Sequence, residues 1–430
     1  EDETQPGTDS DNYVESNVHL MVPTLGDRLK QQVAGSRNVA VAGKDRAAIM
    51  MGGHNLDAIY FWKGSGFTTL KGEKMRPEIK AFNDKLAPTL DAARPASPIP
   101  DFCAPHNRAI AYGNDGRTVG TYAYARPQGG GKMFRASPDF DRAILGAATE
   151  LVQSMKLGQG QGPDLLSIGL SATDYIGHSF GTEGLEMCLQ MAALDDSLGR
   201  FFAMLDARGI DYAVVLTADH GGHDLPERAR EQAMPDAQRV DPNLNAKAIS
   251  DTIKAELQIG GSEPVLYSGG ASGDYYISKA LDADQREAVK QRAIALISAF
   301  PQVKTVIDAE DLAAMPVPTG PVEVWTMAER ARASYYPGRS GDFIVLLDKQ
   351  VTPIPNPTYY VATHGSPWDE DRRVPILFWR KGWTHFEQPL SVETVDIAPS
   401  LAPLLGVTID PAEIDGRCLD LDGGPGSTCN

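Results

Sequence analysis

The chain has 430 residues, 42% of them hydrophobic, which is enough for a substantial core and too apolar for a disordered polymer. Its 40 basic against 57 acidic residues leave a net charge of -17, which argues against nucleic acid as a partner. The same balance obliges any phosphate site to carry its own local cations. No apolar run is long enough to span a bilayer.

Glu1 to Asn12 is acidic and reads as a solvated end. Asp9 and Asp11 imitate the opening of a calcium loop, but its Gly and closing Glu are missing. No signal peptide is visible and the first residue is not Met, so removal of an upstream segment is expected. Thr24 and Asp27 form a capping-box pattern that starts a helix before Leu29. Asn38 to Ala42 and Ala58 to Trp62 read as buried strands. The segment between them leaves room for only a short helical turn, so their pairing stays open.

Residues 71–131, rich in Pro, Gly, Arg and Lys, read as a surface excursion. Ser137 as N-cap and Pro138 at the first position start a helix running to about Leu157. A strand-like run from Leu165 that ends in Asp174 follows. Leu185, Leu189, Leu194, Leu198, Phe201 and Leu205 then recur at helical spacing before Gly209, and a second strand-like run from Tyr212 ends in Asp219. This alternation predicts an α/β fold: a mostly parallel central sheet with helices on both faces. Residues 226–340 read as a smaller inserted lobe, with strands near Val265, Tyr275 and Val306 and helices at Asp284–Phe300 and Pro321–Ala333. The main sheet is expected to resume at Asp342–Leu347 and Val374–Trp379, and a final helix to span Ser391–Leu405.

Two strands end in the same chemistry. The first delivers Asp174 and, four residues later, His178; the second delivers Asp219 and His220. Open α/β sheets place their sites at the carboxyl ends of strands. A lone Asp-x-x-x-His is usually a surface pair, and Asp-His before Gly-Gly is often only turn chemistry. Together, and with His364 before a later strand, they point to a metal centre, since zinc takes His nitrogen and carboxylate oxygen. Lys44 and Arg46 follow a strand that ends at Gly43, and two cations at alternate positions of an extended segment point the same way as a phosphate clamp. His223 is either an outer partner of the metal loop or solvent-facing; His19, His54, His106 and His385 lack any partner pattern. Cys418 and Cys429 bracket a Gly-rich tail and suit a small disulfide loop, which implies an oxidising compartment. Cys103 and Cys188 pair or stay free.

With these motifs in hand, the chain resembles the alkaline phosphatase superfamily, and within it the monomeric zinc-dependent alkaline phosphatases with a threonine nucleophile. The resemblance rests on Asp174-x-x-x-His178, Thr217-Ala218-Asp219-His220-Gly221, Thr363-His364-Gly365, Gly43-Lys44-Asp45-Arg46 and the closing Thr394-to-Leu401 segment, and runs from about Pro23 to Gly406. It implies two Zn2+ ions: Asp174, His178 and His364 on one, Asp219 and His220 on the other. Lys44 and Arg46 would contact phosphate oxygens. The family's first-strand Asp and its Thr nucleophile precede the Lys-x-Arg segment. Here no such strand and nucleophile loop precede Gly43, so residues 1–430 read as a single domain lacking the family's N-terminal segment.

The expected activity is therefore a phosphomonoesterase working by in-line displacement at two metals about 3.5–4 Å apart. Its expected setting is a periplasmic or secreted monomer acting on small phosphate esters. A phosphodiesterase or nucleotide pyrophosphatase of the same fold shares the metal ligands and differs at the Lys-Arg pair. A non-catalytic zinc- or phosphate-binding protein is the reading that the missing nucleophile segment favours. A sulfatase is disfavoured because no Cys-x-Pro-x-Arg segment is present.

Overall fold

The computed structural model describes residues 13–429, so the acidic opening with Asp9 and Asp11 lies outside the described residues. Helix α1 (Leu25–Gln32) starts at the capping box read from the sequence: the Asp27 amide donates to Thr24 Oγ1 and the Thr24 amide to Asp27 Oδ2. Strand β1 (Asn38–Ala42) is buried at every residue. It is followed by α2 (Asp45–Gly52), β2 (Ala58–Lys63) and β3 (Gly66–Thr68). The eight residues of α2 suffice as a crossover, and β1 pairs with β2 in parallel. Val39 and Val41 face one apolar layer while Ala40 and Ala42 face α2. The small side chains on that face let a short helix sit close to the strand.

The stretch expected as a surface excursion is instead partly core. It holds α3 (Pro77–Leu90) and a hairpin of β4 (Ile110–Tyr112) and β5 (Arg117–Val119), and it buries Ile79, Cys103, Ile110, Val119 and Tyr124. Its Pro and Gly residues shape turns, while the scattered apolar residues pack against the next helices. Helix α4 (Pro138–Met155) has Pro138 at its first position, but Ser137 Oγ donates to the Phe134 carbonyl rather than capping. Strand β6 (Leu165–Gly169) pairs with β1 in parallel, completing a sheet of order β3-β2-β1-β6. Then come α5 (Ala172–Phe180), the long α6 (Leu185–Ala207) and β7 (Ala213–Leu216). A Cys103–Cys188 disulfide ties the 71–131 stretch to α6.

The second lobe runs through α7 (Pro226–Glu231), β8 (Gln238–Arg239), α8 (Ala246–Glu256), β9 (Leu266–Ser268), β10 (Gly273–Ile277), α9 (Ala283–Ser298) and β11 (Val303–Asp308). It continues through α10 (Ala309–Ala314), α11 (Met327–Ser334), β12 (Phe343–Leu347) and β13 (Val351–Thr352). Its sheet has the order β11-β12-β10-β9, with its own apolar cluster around Tyr275, Ile253 and Phe343. The strand expected to resume the main sheet near 342 is β12, a central strand here. A run of Phe-Ile-Val-Leu-Leu suits any sheet interior, and its partners β10 and β11 are nearby in sequence.

After α12 (Asp369–Arg372), β14 (Leu377–Arg380) returns to pair with β7 in antiparallel register, Leu377 opposite Leu216. The final helix is shorter than expected, α13 (Ile397–Leu401) between two 3-10 turns, because Pro399 and Pro403 interrupt it. Cys418 and Cys429 form the tail disulfide.

The parallel sheet does not run on from β6 to β7. Among the described residues β6 is hydrogen-bonded only to β1, and β7 only to β14. Between them lies a cavity of about 3180 Å³, lined by both strands, by one face of α6 and by α13. Consequently β6 is only half-buried along its length, and Leu216, Leu377 and Trp379 are 40%, 51% and 44% exposed.

Candidate metal centre

Three loops meet at the carboxyl ends of β1, β6 and β7. Gly43 closes β1, and a Cβ there would lie 2.7 Å from Phe140 and Ser171, so only glycine lets β1 and the start of α5 approach this closely. Lys44 is the extended N-cap of α2, and Asp45 and Arg46 form the helix's first turn. The two cations therefore do not alternate along an extended segment as expected; the acidic Asp45 favours the helix N-terminus and starts α2 one residue after Lys44. Both still line the cavity. Tyr13 Oη donates to Asp45 Oδ2 at 2.8 Å, and burial pushes the Tyr13 phenol up to about 12. With Asp45 so engaged, Arg46 has no ion-pair partner among the described residues.

Asp174 sits in the first turn of α5 and His178 one turn further on, so both project from one helix face. Asp174 Oδ1 lies 3.5 Å from His178 Nε2, 3.6 Å from His220 Nε2 and 3.3 Å from His364 Nε2. Asp174 Oδ2 accepts from Lys44 Nζ at 2.6 Å. Asp174, His220 and His364 present donor atoms within 4.8 Å of one another, a spacing a single metal ion can bridge. Burial raises the Asp174 carboxyl, but hydrogen bonds from His364 and Lys44 and the Lys44 and His178 charges together outweigh it. The group is held well below the usual carboxylate range. Burial also lowers His178, favouring the neutral ring that a metal requires.

Hydrogen bonds on the far ring nitrogens fix how these imidazoles present themselves. His178 Nδ1 contacts the Ala362 carbonyl at 3.0 Å and His220 Nδ1 the Gly221 carbonyl at 2.7 Å, which leaves each Nε2 facing the cluster. The His220 and His364 rings stack at 3.4 Å and 14°. Asp174, His220 and His364 are donors of the types that hold a metal ion, and His178 lies beside them.

Asp219 is the outlier among the expected ligands. Its side chain is 81% exposed and approaches only His220, at 3.5 Å. The sequence reading placed Asp219 and His220 in a second group; the structure draws His220 to Asp174 and leaves Asp219 at the cavity edge.

Tyr360 and Asp371 were not foreseen, and His223, read as either an outer partner of the metal loop or solvent-facing, is not solvent-facing. The Tyr360 ring lies 4.7 Å from His178. His223 is buried, with Nδ1 3.8 Å from Asp371 Oδ1, and Asp371 also accepts from the Ser366 amide at 2.7 Å. The Gly221 and Gly222 amides donate to the Asp371 and Glu370 carbonyls at 2.7 and 3.0 Å. A Cβ on Gly221 would stand 2.0 Å from the Glu370 carbonyl oxygen, so this clasp between the His220 and His364 loops requires glycine. Of the remaining histidines, His54 contacts Asp27 Oδ2 at 3.2 Å and the Leu20 carbonyl, and His106 contacts the Glu183 carbonyl, both away from the centre.

Comparison with known proteins places the chain in a family and fold. A family model described as type I phosphodiesterase / nucleotide pyrophosphatase matches residues 5–367. The chain is 51% identical over 432 aligned positions to alkaline phosphatase PhoK of Sphingomonas sp, covering 100% of this chain and 77% of that protein. It is 47% identical over 424 positions to alkaline phosphatase PhoD of Zymomonas mobilis, covering 98% and 73%. The crystal structure of alkaline phosphatase PafA superposes with a TM-score of 0.77 at 20% identity, over 93% of this chain and 77% of that one, which establishes the shared fold. The chain belongs to the type I phosphodiesterase / nucleotide pyrophosphatase family of the alkaline phosphatase superfamily.

Proposed function

We propose that this chain is a metal-dependent phosphomonoester hydrolase, an alkaline phosphatase. The observation that carries this reading is the convergence of His178, His220 and His364 on one oxygen of Asp174 while Lys44 holds the other. Two zinc ions would complete the centre: Asp174, His220 and His364, with His178 beside them, would hold one, and Asp219 at the cavity edge, 3.5 Å from His220, would contribute to the second. Bound zinc supplies Lewis acidity to the phosphoryl group and the nucleophile. Lys44 and Arg46 neutralise the oxygens of a dianionic phosphoryl group, both lining the cavity beside the donor cluster. A phosphodiester carries one oxygen fewer to neutralise, so this cation pair favours monoesters over the diesterase reading that the family description raises.

The slot between β6 and β7 supports a further part of the proposal. An extended segment outside these 430 residues inserts there as a strand and brings the nucleophile and the remaining carboxylate to the second metal. Both bordering strands offer an unpaired edge, and the relatives PhoK and PhoD are each longer than the part this chain matches. The protein works as a monomer on small phosphate esters in the periplasm or outside the cell. Two disulfides support the oxidising compartment, and no described helix is long and apolar enough to cross a membrane.

The test compares hydrolysis of an aryl monophosphate and its bis-aryl diester by the zinc-loaded, full-length protein. Preference for the monoester is expected. A faster diester reaction makes the chain a phosphodiesterase, and zinc uptake without turnover of either makes it a binding protein.

A further inference from the structure

Asp141 is a carboxylate that the proposed chemistry does not use, and it is almost completely buried, 1% exposed, in the first turn of α4. Its Oδ1 accepts from the Ala172 amide at 2.9 Å, and the Ser171 amide also faces the carboxylate. Its Oδ2 accepts from Gln190 Nε2 of α6 at 2.8 Å, and the same Nε2 donates to Thr173 Oγ1 at 3.2 Å. Ala172 and Thr173 are the first two residues of α5, and Asp174 is the third.

The first amides of a helix lack intrahelical partners, and the N-cap side chain ordinarily supplies one. Ser171 holds the N-cap position of α5 but makes no side-chain cap; its Oγ instead contacts the Gly169 carbonyl at 3.3 Å. Asp141 does this work from a different helix. Burial pushes the Asp141 carboxyl up to about 6, so at neutral and alkaline pH its charge is held in the interior at a cost to folding. Stability alone therefore gives no reason for a charged group at this position. Holding α5 gives a reason for a group with two polar atoms here, one accepting from the α5 amides and one meeting Gln190.

We propose that Asp141 is a positioning residue for the metal centre, clamping the N-terminal turn of α5 against α4 and α6 and thereby fixing where Asp174 and His178 present their donor atoms. Asp174 is two residues from the clamped Ala172 amide and His178 one turn further, so release of that turn displaces two donors at once. The inference rests on the metal-centre reading of Asp174 and His178. The Gln190 amide has one unused feature: its Oε1 is buried with no partner. Rotation of that amide would present Oε1 toward residue 141, so Asp141→Asn can keep both contacts, whereas Asp141→Ala keeps neither.

The experiment measures zinc affinity by competition with a chromophoric chelator on the folded protein, alongside the thermal midpoint. Asp141→Ala is expected to weaken zinc binding by about 10- to 100-fold, the range for losing an outer support of a metal site. Asp141→Asn is expected to stay within about threefold of the unmodified protein. Leu151→Ala, a packing loss in the same helix, is expected to lower the midpoint and leave zinc affinity unchanged, which a merely structural role of Asp141 would imitate. If Asp141→Ala does not fold, Gln190→Leu, which removes the donor to Oδ2, is expected to weaken zinc about three- to tenfold. Affinities for Asp141→Ala or Gln190→Leu equal to that of the unmodified protein overturn the inference alone. Absence of zinc uptake by the unmodified protein overturns the metal-centre reading and this inference with it.

Discussion

Lys44 Nζ lies 2.6 Å from Asp174 Oδ2, while Asp174 Oδ1 faces three imidazole nitrogens at 3.3 to 3.6 Å. A single carboxylate thus joins the cation proposed for phosphate to the donors proposed for metal. Its two oxygens are committed to different partners, so each half of the site constrains the other.

That coupling gives the first prediction, which concerns substrate charge. Lys44→Ala and Arg46→Ala should each lower monoester turnover in the full-length protein by about 10²- to 10³-fold, the usual loss on removing one transition-state charge partner. Diester turnover should fall by less than about tenfold, since less charge is there to be neutralised. Steady-state rates on the two aryl esters decide it; equal losses on both would assign the pair a structural role.

Metal uptake should divide the expected ligands unequally. His364→Ala removes a donor from the middle of the cluster, whereas Asp219→Ala removes a side chain that is 81% exposed and touches only His220. In the 430-residue chain, His364→Ala should abolish the tightest zinc site and Asp219→Ala should leave it within about threefold. Chelation should likewise lower the midpoint of the unmodified protein, with zinc restoring about 2.7 kcal/mol at a hundredfold excess over Kd.

A pH dependence of stability follows from Asp141. Its folded value of about 6 exceeds the ordinary 3.8. Below about pH 4 both folded and unfolded states carry the proton and nothing is lost. As pH rises from about 4 to 6 the unfolded chain ionises first, so stability is lost across that window and stays lost above it. The gain of Asp141→Asn over the unmodified protein should therefore grow between pH 4 and 6 and level off at no more than about 3 kcal/mol. Denaturant midpoints across that range measure it, and a gain that is flat with pH would contradict the assignment.

The two disulfides should differ in weight. Cys103–Cys188 closes a separation of 85 residues and Cys418–Cys429 one of 11. On loop-closure entropy the first is worth about 4–5 kcal/mol and the second about 3. Paired Cys→Ser variants should lose stability in that order, read from urea midpoints at constant slope.

The chemistry of the site was legible because the carboxylate and imidazole motifs are local: Asp174 with His178, and Asp219 with His220, each follow directly on a strand. The capping box at Thr24, the helix start at Pro138 and the Gly-rich cystine loop are local in the same way. What escaped depends on distant partners. The run at Phe343–Leu347 has the composition of any buried strand, and only its partners place it in the second lobe. Residues 71–131 look like surface by their Pro and Gly, yet Cys103 and Tyr124 are interior. The break between β6 and β7 leaves no mark on either strand's sequence. Asp141 did leave one: it interrupts the apolar stripe of Ile144, Leu145, Ala148 and Val152 at helical spacing, and an acid on a core face is a request for a partner.

The pairing of β7 with β14 bears on the order in which the molecule assembles. It joins residue 213 to residue 380, and the whole second lobe lies between them. Bringing those ends together as a free loop carries a large chain-closure cost, and prior folding of the lobe around its own core shortens the effective loop. His220 leaves the end of β7 and His364 precedes β14, so the candidate centre draws its donors from both sides of the lobe in sequence. Completion of the donor cluster is therefore expected to depend on folding of the lobe that joins them.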